Sequence, residues 1–141
     1  RDIARQILRH RSFSFQEFSQ RYAEAQQFVT REARLQDHKN RQNSIEDVGS
    51  ETMLWWQEQQ EILLEQVDSV YREALDKGIA KECARVILPE GNTMSRMYMN
   101  GTARSWMHYC DLRCDDATQK EHRIVADMCR QELKQYLPTL F

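Results

Sequence analysis

The sequence predicts an α+β fold, helix-rich with a small antiparallel sheet, and three observations lead to it. Apolar residues recur at three- and four-residue steps over several long stretches. Only two short segments alternate side chains from face to face as a strand does. Gly78, Pro89 and Pro138 fall where the helical stretches run out.

The elements follow in order. Residues 1–8 carry Ile3, Ile7 and Leu8 at helical spacing, in a helix that delivers Gln6 and Arg9 to its far end. From Ser12 to Ser19, Phe13, Phe15 and Glu17 lie on one side of an extended chain and Ser14, Gln16 and Phe18 on the other, as a loop or irregular strand. Residues 34–50 are polar, with little to bury, and read as a long surface connection. A long helix follows, with Leu63, Val67, Val70, Tyr71 and Ala74 as its apolar stripe, Glu61, Glu65, Asp68 and Glu73 as its solvated face, and Gly78 as a left-handed stop.

A short helix over 80–87 ends before Pro89, which disfavours helical geometry in the residue preceding it. Thr93 to Met99 alternates weakly and is read as a strand, and Ala103 to Leu112 returns to helical spacing. Trp106 and Tyr109 are assigned to the core. Thr118 and Glu121 match a capping box, and Ile124, Val125, Met128, Cys129, Leu133, Tyr136 and Leu137 form the apolar stripe of a last helix.

The net charge of -2 is unevenly laid out, at +4 over residues 1–41, -7 over 42–82 and +1 over 83–141. This excludes a nucleic-acid-binding polycation and leaves local arginine clusters suited to small anions. The four cysteines form no C-x-x-C pair, so reduced, packed cysteines are expected, with neither disulfide nor metal site. No apolar run approaches the roughly 20 residues of a membrane-spanning helix, and no signal-peptide pattern opens the chain. A soluble, cytoplasmic protein without a membrane partner is expected. Arg1 is not an initiating methionine and RDIARQIL reads as the middle of a helix, so an N-terminal portion is expected to precede it.

The densest clustering of charge and flat apolar surface is RHRSFSFQEFSQRY, residues 9–22. R-H-R, seven residues, then Ser runs here from Arg9 to Ser19 and resembles the signature of flavin-dependent thymidylate synthases. ARVILP at 84–89, NGTARSWMHYCDLR at 100–113, QKEHR in the last helix and the terminal LPTLF are similar to that family's later blocks, in the family's order. Two departures stand out: Gln16 where the family commonly has Asn, and Gln20 where it often has a small residue. The resemblance implies a single catalytic domain over 1–141, of the thymidylate synthase-complementing protein type, lacking the family's N-terminal segment. It also implies conversion of dUMP to dTMP with methylenetetrahydrofolate as carbon donor, NADPH as reductant and FAD as cofactor, in a homotetramer whose sites are shared between subunits.

Site residues follow from the same resemblance. Gln6, Arg9, Glu17, Ser19, Gln20, Arg21, Arg85 and Arg113 are expected at dUMP, and Arg9, His10, Arg11, Glu17, Asn100, Thr102, Arg104 and His108 at FAD. Asn100 and Thr102 compete for one role because the stretch after Pro89 is one residue long for the family. Ser19, Gln20 and Arg21 suit a phosphate cradle of hydroxyl, backbone N–H and guanidinium. Ser19 as a nucleophile lacks a His–Asp partner at a recognisable spacing. An unpaired carboxylate at Glu17 would repel phosphate, so it is expected to anchor Arg9, Arg11 or Arg21. His10 is expected to adjust the charge around the flavin. Arg113 is the expected catalytic residue: a fixed cation beside the uracil imide favours its ionised form and enriches the carbon that accepts the methylene.

Two other readings use the same residues. In one, the chain is an inactive, truncated nucleotide-binding relative that keeps the phosphate cradle and has lost flavin or folate access. In the other, residues 1–41 are a nucleic-acid arm whose binding falls steeply with salt.

Overall fold

The computed structural model describes residues 1–24 and 27–141. The described chain is helix-rich, with two small antiparallel two-stranded sheets, and divides into two compact units. One comprises Arg1–Asp2, Glu17–Leu35 and Glu46–Met97, the other Ile3–Gln16, Gln36–Ile45 and Tyr98–Phe141. Among the described residues, no helix is long and apolar enough to cross a membrane.

The first unit is built on α2 (Ser50–Asp76), which stops at Gly78 with φ +79°, the left-handed geometry that glycine adopts without a Cβ penalty. Its inward face carries Gln60, Leu64 and Tyr71, and Tyr71 packs with Ala84, Ala74, Leu75 and Leu88. The expected stripe is half right. Val67, Tyr71 and Ala74 are at least partly covered, whereas Leu63 and Val70 face solvent. The buried row is displaced because a polar residue, Gln60, holds one of its positions.

Gln60 is satisfied by standing in for a strand. Its Oε1 accepts from Arg31 N at 2.7 Å and from Asn92 Nδ2 at 3.1 Å, while its Nε2 donates to Arg31 O at 2.8 Å. A buried amide with its hydrogen bonds made avoids the cost of dehydration. It also fixes the segment around Arg31, where Phe28 bridges antiparallel to Thr93 and Val29 N donates to Asn92 O at 2.8 Å. The expected short helix is α3 (Lys81–Ala84), continued by a 3₁₀ turn over Arg85–Ile87 that ends before Pro89.

The second unit opens with α1 (Asp2–Ile7), most of which belongs to it. Strand β1 (Ser14–Glu17) alternates between the faces as the sequence predicts, and pairs with β4 (Met97–Asn100). The polar connection holds two short strands, β2 (Leu35–Gln36) and β3 (Ser44–Ile45), around a turn in which Asp37 Oδ1 accepts from the backbone N–H of Lys39 and Asn40. Helices α4 (Ala103–Arg113) and α5 (Lys120–Tyr136) complete it.

Its core joins Phe13, Tyr109, Cys110 and Ala126, with Trp106 and Phe15 against them. Phe13 meets Trp106 edge-on at 5.0 Å between centroids, and Trp106 meets Tyr109 at 5.7 Å, so both α4 aromatics serve the core as expected. A Cβ on Gly101 would lie within 2.6 Å of two edge carbons of the Phe13 ring, too close for a real contact, so glycine there permits close approach of backbone to aromatic.

The last helix departs from expectation twice. Its N-cap is Gln119 with no side-chain cap, and Thr118 Oγ1 donates to Leu112 O at 3.3 Å, so the capping box does not form. Its covered face runs through His122, Ala126, Cys129 and Leu133, while Ile124, Met128 and Tyr136 are exposed. Thr102 instead caps α4, accepting from Ser105 N at 3.2 Å.

His122 is wholly buried. Its Nδ1 lies 3.1 Å from Gln6 Oε1, and its Nε2 lies 3.1 Å from Tyr109 Oη. An amide oxygen only accepts, so Nδ1 carries the proton and Tyr109 donates to Nε2. Burial, helped by the charges of Arg113 and His10, pushes the imidazole down to about 4 from 6.5. Between these values the unfolded chain binds a proton that the folded chain does not. The stabilisation is therefore full above pH about 6.5 and fades as pH falls toward about 4, by up to about 3 kcal/mol. Denaturant unfolding of wild type and His122→Gln at pH 7 and pH 4 measures this: the acid loss should shrink by that order in the variant.

Candidate functional site

The expected site residues sort into two groups, one in each unit. In the second unit, the short helix α1 and the turn after it present Gln6, Arg9, His10 and Arg11, and α4 presents Arg104, His108 and Arg113. Arg113 Nε donates to His10 Nε2 at 2.9 Å. A guanidinium has no acceptor, so His10 Nε2 must be unprotonated and any proton on the neutral ring sits on Nδ1. Burial, and then the neighbouring Arg113 charge, hold His10 below its ordinary range. The imidazole also packs edge-on to Tyr109 at 5.0 Å.

These contacts fix a half-buried guanidinium by its Nε alone. Among the described residues, the two terminal nitrogens of Arg113 have no hydrogen bond, which leaves two donor nitrogens, each with two N–H groups, for a ligand. Arg9, Arg11 and Arg104 are exposed and, among the described residues, have neither ion-pair nor hydrogen-bond partner for their side chains. Gln6 is already committed at both ends, with Oε1 facing His122 and Nε2 donating to Gln119 Oε1 at 2.6 Å. Thr102 is occupied as the cap of α4, whereas Asn100 and His108 are exposed.

In the first unit, Arg21 and Arg85 converge on one residue. Arg21 reaches the Glu82 carboxylate at 2.9 and 3.1 Å, and Arg85 Nε donates to Glu82 O at 3.3 Å. Both partners of the Arg21–Glu82 pair are about half exposed, at 52% and 51%. Such a pair is worth about 0–1 kcal/mol, so a dianion can draw Arg21 away at little cost. Ser19 Oγ accepts from Arg21 N at 3.3 Å, a local turn contact.

Glu17 does not anchor Arg9, Arg11 or Arg21. Its Oε1 accepts from Arg1 Nε at 3.1 Å and from Ser95 Oγ at 2.7 Å, and Arg1 Nη2 lies 3.1 Å away. Phe18, Ser19, Gln20, Ser95 and Arg96 line part of a pocket of about 310 Å³. Arg21 is not among its lining residues.

Sequence reasoning missed Arg1, Ser95, Arg96, Glu82 and His122. Arg96 carried a signal, as an arginine immediately before the strand that pairs with the motif strand. The others are partners of partners, with no mark in sequence spacing.

The Arg113–His10 contact has a direct spectroscopic consequence. Removing the guanidinium in Arg113→Met removes both a donor to Nε2 and a repelling charge. An NMR titration of His10 should then give a pKa closer to 6.5 than in wild type, the sign set by loss of a nearby cation.

The thymidylate synthase complementing protein family matches residues 1–139. The chain is 55% identical over 140 residues to the flavin-dependent thymidylate synthase of Synechocystis sp., covering 99% of this chain and 65% of that protein. It is 50% identical over 141 residues to the probable flavin-dependent thymidylate synthase of Paramecium bursaria Chlorella virus 1, again covering 99% and 65%. It thus spans just under two thirds of the length of either relative. Among solved structures, a UMP/dUMP methylase, PolB, from Streptomyces cacaoi bound with 5-Br UMP superposes with a TM-score of 0.82 at 27% identity, covering 94% of this chain and 63% of that one. Fold, motif order and a match over nearly the whole length agree: the chain belongs to the thymidylate synthase complementing protein family.

Proposed function

We propose that this protein is a flavin-dependent thymidylate synthase, converting dUMP to dTMP with methylenetetrahydrofolate as carbon donor, NADPH as reductant and FAD as resident cofactor. The observation that carries this reading is the half-buried Arg113 guanidinium, held by neutral His10 through Nε with its two terminal nitrogens left over. Two parallel donors suit the uracil carbonyl and imide, and a fixed cation there favours the ring anion. Electron density then rises at the carbon that receives the methylene, without a covalent protein adduct.

The residues fit a flavin dinucleotide. Arg9, Arg11 and Arg104 offer exposed guanidinium groups without protein partners among the described residues, and a diphosphate is the anion such forks match. We assign Arg9, His10, Arg11, Asn100, Arg104 and His108 to its binding. Glu17 and Thr102, already engaged with Arg1 and with the α4 N-terminus, support the neighbouring backbone instead. FAD, when bound, supplies the hydride. Neutral His10 holds its proton on Nδ1 and turns Nε2 to Arg113, which keeps that guanidinium oriented and charged.

For the nucleotide phosphate we assign Ser19, Gln20, Arg21 and Arg85. Arg21 leaves its weak surface pair with Glu82 to meet a dianion, a charge-assisted contact about twice as strong as a neutral hydrogen bond. Gln6, committed to His122 and Gln119, supports the motif from behind and is not assigned to the phosphate. A homotetramer is supported by the apolar side chains of α2 that face solvent in a single copy, Leu54, Trp55, Ile62 and Leu63 among them. No nucleic acid is expected as a partner, since the charge pattern suits small anions.

Tritium release from 5-labelled dUMP with NADPH, methylenetetrahydrofolate and FAD tests the reading. Wild type should release tritium, and Arg113→Ala should be slower by about 100-fold or more, the usual cost of removing a donor from developing charge. No release by wild type overturns the enzyme. The span of under two thirds of its relatives keeps the inactive, truncated relative as the alternative, which would bind dUMP and purify without the yellow flavin absorbance.

A further inference from the structure

Gln20 lines the pocket of the first unit and is 8% exposed. Its buried Nε2 has no hydrogen-bond partner among the described residues. Its Oε1 accepts from Arg1 Nη1. That orientation is dictated, because a guanidinium carries donors alone and would repel the amide nitrogen if the group were flipped. Arg1 is itself fixed, its Nε and Nη2 both 3.1 Å from Glu17 Oε1, which also takes Ser95 Oγ at 2.7 Å.

We propose that Arg1 is a positioning residue for substrate phosphate: clamped by Glu17 and Ser95, it holds Gln20 with its amide donor reserved for an oxygen of the nucleotide 5′-phosphate. This rests on the reading of the Ser19–Gln20 segment as a nucleotide phosphate site. Two features of the pocket support an anion as occupant. Arg96 lines it with a guanidinium that has no partner among the described residues, and its carboxylate, Glu24, is matched by Lys81 at 3.3 Å. A phosphate oxygen accepts from both an amide N–H and a guanidinium, whereas a cationic ligand satisfies neither. Gln20 accordingly contributes specificity through a side chain where the family often has a small residue, and Arg1 converts a rotatable amide into a fixed donor.

The test titrates dUMP and deoxyuridine, which lacks the phosphate, into the full chain as wild type, Arg1→Met, Arg1→Lys and Gln20→Glu. Wild type should prefer dUMP. Gln20→Glu keeps the shape, removes the N–H and adds charge, and should weaken dUMP by about tenfold or more while leaving deoxyuridine unchanged. Arg1→Met should weaken dUMP alone by about five- to tenfold, and Arg1→Lys, which still donates to Oε1, should recover most of it. A merely structural Arg1 would lower both affinities together and would not be rescued by lysine, and that result overturns the proposal. Preference for dUMP kept intact in Arg1→Met overturns it as well, leaving the phosphate site standing. Equal binding of dUMP and deoxyuridine by wild type overturns the phosphate site and the proposal with it.

Discussion

An arginine side chain offers five donors and no acceptor, and within each unit the expected site residues are organised by where acceptors are supplied to it. His10 supplies one to Arg113, Glu17 and Gln20 supply Arg1, and Glu82 supplies Arg21 with its carboxylate and Arg85 with its carbonyl. Two of these contacts do more than hold a cation. The guanidinium determines the tautomer of His10 in one and the face of the Gln20 amide in the other, so chemistry that rotation would otherwise scramble is settled before any ligand arrives.

Exposure separates these contacts by role. The Arg1–Glu17 pair is largely shielded, at 22% and 24%, whereas Arg21 and Glu82 are about half in water. Screening makes the outer pair cheap to part and the inner one costlier to disturb. Rigid placement and ready exchange with a ligand thus come from the same residue type, distinguished by burial. The buried amides and imidazole extend the pattern inward: Gln60 fixes backbone in one unit, and His122 with Gln6 and Gln119 fixes the approach to the motif in the other.

Much of this was legible in the sequence. The R-H-R…S spacing located the motif, Gly78 marked a helix end, and the alternation over Ser14–Glu17 matched a strand. The apolar stripes of α2 and α5 were misread for one reason. Both helices carry apolar residues around much of their circumference, and each buries a polar residue, Gln60 or His122, that hydrophobic spacing ranks as surface. The partner of Glu17 was illegible for another reason. Three arginines stood within eight residues of it, and the one it took, Arg1, lies sixteen residues away, where folding and not local spacing decides. Thr118 had the right pattern for a cap, yet the helix begins one residue later.

The meeting of Gly101 with the Phe13 ring has an evolutionary reading. A methyl at 101 is accommodated once the ring at 13 has been lost, and loss of the ring alone opens a void beside Trp106 and Tyr109. Either order passes through a poorer intermediate, so these two sites should drift together or not at all. Descendants of this sequence are in effect bound to keep a glycine ahead of α4, whatever substrate their neighbouring arginines come to hold.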